Sequence, residues 1–198
     1  MMTLCSGIIF RRCAALLLLL ILTVSCAAGL GGEAVKADIA ANPGKGGYID
    51  GVPFFPQKER KCGAAALASV INYWGGSQNL DAVSAAVFSE PMGGTLPMDM
   101  LIYAKDAGFD AFYYNGGLDD LKRKVSEKSP LILFLNMGYD LYPIGHYIVV
   151  VGYDDRLRVV LAHSDMDEYA VFTYDELLDL WGKTNYTTFL IKPVQPSR

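Results

Sequence analysis

Cys62 opens the run Cys-Gly-Ala-Ala-Ala-Leu-Ala-Ser-Val-Ile-Asn-Tyr-Trp-Gly-Gly and is the residue whose type and setting suit covalent chemistry. The residues after it are strong helix formers, and Leu67, Val70, Ile71 and Trp74 repeat at helical spacing. Gly75 and Gly76 end that helix, while Pro53, Pro56 and the charged Lys58-Glu59-Arg60-Lys61 precede it, so Cys62 falls in the first turn. Unpaired N–H groups and the positive end of the helix dipole favour a thiolate there, and the thiolate is the nucleophilic form of cysteine. Such a thiolate needs an imidazole to shuttle its proton, and the chain has two histidines, His146 and His163.

The elements that must position these groups follow from periodicity and punctuation. Helices are expected at Cys62 to Trp74, Leu80 to Phe88, Leu96 to Ala107 (with Pro97 in its first turn and Gly108 past its end) and Leu118 to Ser126. From Pro130 onward the pattern turns to strands. Leu-Ile-Leu-Phe-Leu is a buried-strand run, and His146 to Tyr153 and Arg158 to His163 form a hairpin around Asp154-Asp155. A short helix at Tyr174 to Trp181 and a strand at Thr187 to Ile191 close the domain. Helices first and antiparallel strands later predict an α+β fold.

The first 25 residues carry Arg11-Arg12, then an apolar run from Cys13 to Val24, and no acid, the layout of an export signal. That run is roughly a dozen residues, whereas a bilayer-spanning helix takes about 20. Leu22-Thr23-Val24-Ser25-Cys26 resembles the lipobox of bacterial lipoproteins, in which the cysteine is lipidated. Conventional cleavage near Ser25-Cys26-Ala27-Ala28 is the other route. The organisation is then a signal over residues 1–25, a flexible Gly-rich tether over 26–47 and a folded domain over 48–198. Of four cysteines only Cys62 stays in that domain, so no disulfide is available to it, and an unpaired thiol in an exported protein argues for a chemical use.

One cysteine and two histidines without close spacing do not assemble a metal site, and no metal or cofactor is expected. The formal charge of −4 becomes −6 when residues 1–25, which hold two arginines and no acid, are removed. With no basic patch interleaved with aromatics, nucleic acid is not an expected partner.

Gln57 ahead of Cys62-Gly63 at the head of an Ala-rich helix, and Gly145-His146 opening a Val-rich strand that ends Val-Gly-Tyr-Asp, resemble the peptidase C39-like branch of bacterial cysteine peptidases over residues 50–192. The resemblance implies a papain-like fold, with Cys62 as nucleophile, His146 as its base and Gln57 in the oxyanion hole. The third member of such a site is usually Asp or Asn at the end of the strand after the histidine strand. Here His163 stands at that point, with Asp165 as the alternative. A second departure is Ala64, where relatives often have proline.

With the N-terminal signal and lipobox, the expectation is a monomeric enzyme of the bacterial cell envelope, held by a lipid on Cys26 and acting on a peptide or protein substrate. Two other functions share these residues. One is acyl transfer to an amine through the same thioester, and the other is a non-catalytic peptide-binding module.

Overall fold

The computed structural model describes residues 31–57, 60–139 and 141–194. Residues 1–25 and Cys26, on which the expected signal and lipid site fall, lie outside them. Among the described residues no helix is long and apolar enough to cross a membrane.

The elements run α1 (Gly32–Ala41), β1 (Gly46–Tyr48), α2 (Cys62–Tyr73), α3 (Leu80–Val87), β2 (Phe88–Ser89), β3 (Gly94–Thr95) and α4 (Pro97–Asp106). They continue as β4 (Phe109–Asn115), α5 (Leu118–Ser126), β5 (Leu131–Asn136), β6 (Gly145–Asp154), β7 (Val159–Ser164), β8 (Asp167–Thr173), α6 (Tyr174–Gly182) and β9 (Thr187–Pro193). Six of the strands form an antiparallel sheet in the order β4-β9-β5-β6-β7-β8, and β1 adds to β6 beyond the end of β5. This is the α+β arrangement that the order of elements predicts.

β6 is the spine of the sheet. Its residues from His146 to Gly152 are all buried, because both of its faces are covered, and so its sequence reads as an unbroken Val-rich run instead of an alternation. α2 lies against the face that carries Tyr147 and Val149. Every residue of α2 from Gly63 to Ile71 is buried, more than the one apolar face its periodicity predicts, since the sheet, α3 and α4 enclose it. Small side chains make that enclosure feasible. A Cβ on Gly63 would lie 2.5 Å from the side chain of Thr95, so only glycine lets the first turn of α2 approach β3 this closely.

The N-terminal part differs from the expected tether. Residues 32–41 form α1, which buries Val35 and Ile39, one turn apart, and residues 46–48 pair with Gly152–Asp154 of β6. Arg156 closes the arrangement with an ion pair to Asp38. The folded domain therefore starts before Tyr48, at α1. Two buried anchors among alanines give too weak a periodicity to stand out from the Gly-rich sequence around them.

If α1 is part of the core, Ile39→Ala lowers the unfolding free energy by roughly 2–4 kcal/mol in urea denaturation, whereas a substitution in a solvated tether changes it by less than about 0.5 kcal/mol.

Candidate active site

Cys62 is the first residue of α2 and is partly buried. Its sulfur is approached by the backbone N–H groups of Gly63, of Cys62 itself and of Tyr147, the second residue of β6 after Gly145. The contact from Tyr147 brings the start of β6, and with it His146, to the tip of α2. Gly145 permits the strand to begin there: a Cβ at that position would strike the ring of Phe134 at 2.6 Å.

His146 is 7% exposed. Its Nε2 lies 2.8 Å from Ser164 Oγ, and its Nδ1 lies 3.8 Å from a carboxylate oxygen of Asp165. Ser164 ends β7, and Asp165 turns the chain into β8 with φ +49°, a left-handed conformation that Asp adopts more readily than most residues. The main chain of Asp165 also holds the loop before α2, because its carbonyl accepts the N–H of Gln57 at 3.0 Å. Gln57, Cys62, Tyr147, His163, Ser164 and Asp165 line one cavity of about 20 Å³.

The expected part for His163 as the group that orients His146 does not hold. His163 pairs across the sheet with Val149, so its ring takes the face of Val149 and lies against Phe54, 5.4 Å between centroids, and Tyr169. Its Nδ1 has no hydrogen-bond partner. The neighbouring Ser164, one residue on and hence on the opposite face, meets His146 instead. Ser164 escapes the sequence reading because a serine after a histidine at a strand end carries no signal of its own. Asp165, the alternative, stands near His146 by charge without a close hydrogen bond, and its side chain is 70% exposed.

Burial dominates the protonation of the site. It pushes the Cys62 thiol up, and the negative charge of Asp165 adds to this, while the three backbone N–H groups oppose it. Burial pushes the His146 imidazole down, with Asp165 opposing. Burial thus favours the neutral form of each side chain, against the thiolate that the helix start alone favours. Burial likewise lowers His163 to about 4.

A family model described as the Peptidase_C39 like family matches residues 49–187. Among solved structures, a protein of Bacillus anthracis described as C39-like is 17% identical with a TM-score of 0.63, over 77% of this chain and 99% of that one. The double glycine motif protease from an AMS/PCAT transporter, solved in complex with the leader peptide, is 21% identical with a TM-score of 0.59, over 75% and 95%. Xylellain, a cysteine protease from Xylella fastidiosa, is 17% identical with a TM-score of 0.51, over 81% and 90%. At these identities the likeness is one of fold. No curated protein matches the sequence.

The His163 environment makes acid stability a direct readout. Unfolded His163 takes a proton near pH 6.5, and the folded residue only near about 4, so its stabilising effect is lost as pH falls through that window. Between pH 7 and 4.5 the fall in unfolding free energy is expected to be roughly 2–3 kcal/mol smaller in His163→Leu than in the wild type.

Proposed function

Since the chain belongs to the peptidase C39-like family, whose members share the papain-like fold, we propose that it is an exported, lipid-anchored cysteine peptidase that hydrolyses peptide bonds through Cys62 and His146. The observation that carries the reading is the meeting of α2 and β6. The sulfur at the head of the helix receives the N–H of Tyr147, and the imidazole of the preceding residue is held by Ser164. Peptide as substrate is favoured by the leader peptide bound to the transporter protease of the same fold. The export and lipid parts rest on the N-terminal sequence, with Cys26 as the acylated residue and the cell envelope as the location.

The proposed chemistry uses a proton kept at a defined atom. Nε2–H of His146 donates to Ser164 Oγ, which leaves the Nδ1 lone pair as the base. As the sulfur attacks the substrate carbonyl carbon, the thiol proton passes to Nδ1 and a C–S bond forms. The oxyanion takes hydrogen bonds from the Gln57 side chain and the Cys62 N–H. Nδ1–H then protonates the amine as the C–N bond breaks, leaving an acyl-enzyme. A water molecule attacks that thioester, returning its proton to His146 and then to sulfur as the acid leaves. Asp165, near Nδ1, lowers the cost of the transient imidazolium. Ser164 fixes the tautomer without supplying charge.

Cleavage of a peptide library by the full chain, read by mass spectrometry, tests this. Cys62→Ala is expected to abolish cleavage, and undiminished cleavage by that variant overturns the reading. Gln57→Ala is expected to lower kcat by about 100- to 1000-fold. Ser164→Asp places a negative charge beside the imidazole and raises its pKa, so the acid limb of the kcat/KM profile, where the base becomes protonated, moves to higher pH. The mass of the N-terminal fragment of the envelope-isolated protein tests the lipid: a cysteine 26 N-terminus carrying acyl groups supports it, and an unacylated one excludes it.

A further inference from the structure

β4 is the border strand of the sheet opposite β8 and pairs with β9 alone. The N–H of Gly116 donates to the Tyr186 carbonyl at 2.8 Å, and Tyr114–Thr188, Phe112–Leu190 and Asp110–Lys192 continue that ladder in steps of two without a register shift. In an antiparallel ladder the residues between such pairs turn their N–H and C=O to the other side, so the main chain of Ala111, Tyr113 and Asn115 points out of the sheet. Among the described residues no other main-chain hydrogen bond reaches those groups. Border strands are usually blunted by charge, proline or a bulge. β8 has Asp167, Glu168 and an irregular register with β7, whereas β4 from Ala111 to Asn115 has none of these, and Phe112 and Tyr113 are exposed.

The outer edge of β4 lies in a groove of about 630 Å³. Tyr113 shares a pocket with Pro97 at the head of α4, while Tyr114, on the opposite face, donates to Asp120 of α5 at 2.6 Å, so one helix stands on each face beside the edge. Lys105 of α4, Arg123 and Lys124 of α5, and Lys192 of β9 line the groove. Asp120 and Glu127 neutralise Arg123 and Lys124. Lys192 stands opposite Asp110 in the ladder, but its ammonium lies over the Phe112 ring, 5.3 Å from the centroid. Among the described residues neither Lys192 nor Lys105 forms an ion pair, which leaves the groove positive in a chain of negative formal charge.

We propose that this groove binds an extended acidic peptide segment of another protein as a strand added to β4. The main chain of the segment pairs with Ala111, Tyr113 and Asn115, which supplies affinity, and its carboxylates meet Lys105 and Lys192, which supplies selectivity. Successive side chains of a strand alternate in face, so adjacent acidic residues reach Lys105 on one side and Lys192 on the other. A second β4 fits the groove less well, because it brings its own lysines against these.

The test uses the full chain carrying Cys62→Ala, so that no probe is cut and the outcome is separate from that of the peptidase reading. A fluorescein-labelled peptide Thr-Val-Glu-Glu-Val-Thr-Val and its Lys-Lys counterpart are titrated by anisotropy. The acidic peptide is expected to bind at least about 10-fold more tightly, and Lys105→Glu with Lys192→Glu to weaken it by about 10-fold. Tyr113→Pro removes an outward N–H that β9 does not use, and is expected to bind about 3- to 10-fold more weakly than Tyr113→Val, which keeps it. In amide exchange followed by NMR, the bound acidic peptide is expected to slow Ala111, Tyr113 and Asn115 without slowing Phe112 and Tyr114. No anisotropy change at millimolar acidic peptide, equal binding of the two peptides, or binding that leaves those three amides unprotected overturns the proposal. Protection of the same amides in the free chain that grows with protein concentration assigns the edge to a second copy and overturns it too.

Discussion

The approach of the first turn of α2 to the start of β6 is the constraint from which the site follows. A helix whose first turn bears on a strand must be enclosed tightly enough to hold that turn, and here nine consecutive residues of α2 are buried. Gly63 allows the helix to close on Thr95, while the hydroxyl of Tyr147 donates to the Thr95 carbonyl at 3.1 Å and fixes β6 to the same point. Tyr147 therefore acts at both ends, its N–H toward the sulfur and its ring in the core. Packing at this meeting point also desolvates both side chains, which favours the neutral form of each.

Much of this architecture was legible in the sequence where local pattern and tertiary role agree. α5 spans the residues its amphipathic pattern predicts, and the β6–β7 hairpin follows from its Val-rich runs and the acidic turn. The C39-like fold followed from two short motifs, one at each side of the eventual meeting point. Other elements stayed hidden for physical reasons. α1 is anchored by only two buried residues, and β8 begins Asp-Glu and lies half exposed at a sheet edge, so neither displays the apolar period that marks a buried element.

The exchange of His163 for Ser164 as the neighbour of His146 shows the limit most directly. Which of two adjacent strand residues faces a given side is set by register, and one step in register reverses every side chain. β7 carries irregularities on both of its borders, between Val150 and Gly152 of β6 and between its own Ala162 and Ser164. Each bulge inserts a residue without any mark in the sequence that reveals its place. Two histidines equally buried thus acquire unlike surroundings, one with a hydroxyl and a carboxylate, the other with aromatic rings and an unpaired nitrogen.

The acidic beginning of β8 also bears on how the molecule meets copies of itself. β8 forms one border of the sheet, and border strands are the natural template for adding further strands. Asp167 and Glu168 are exposed at that border. Any chain docking there by main-chain pairing would strip hydration from two carboxylates without returning a counter-charge, so runaway stacking into fibrils is discouraged at the very edge that carries the turn of Asp165.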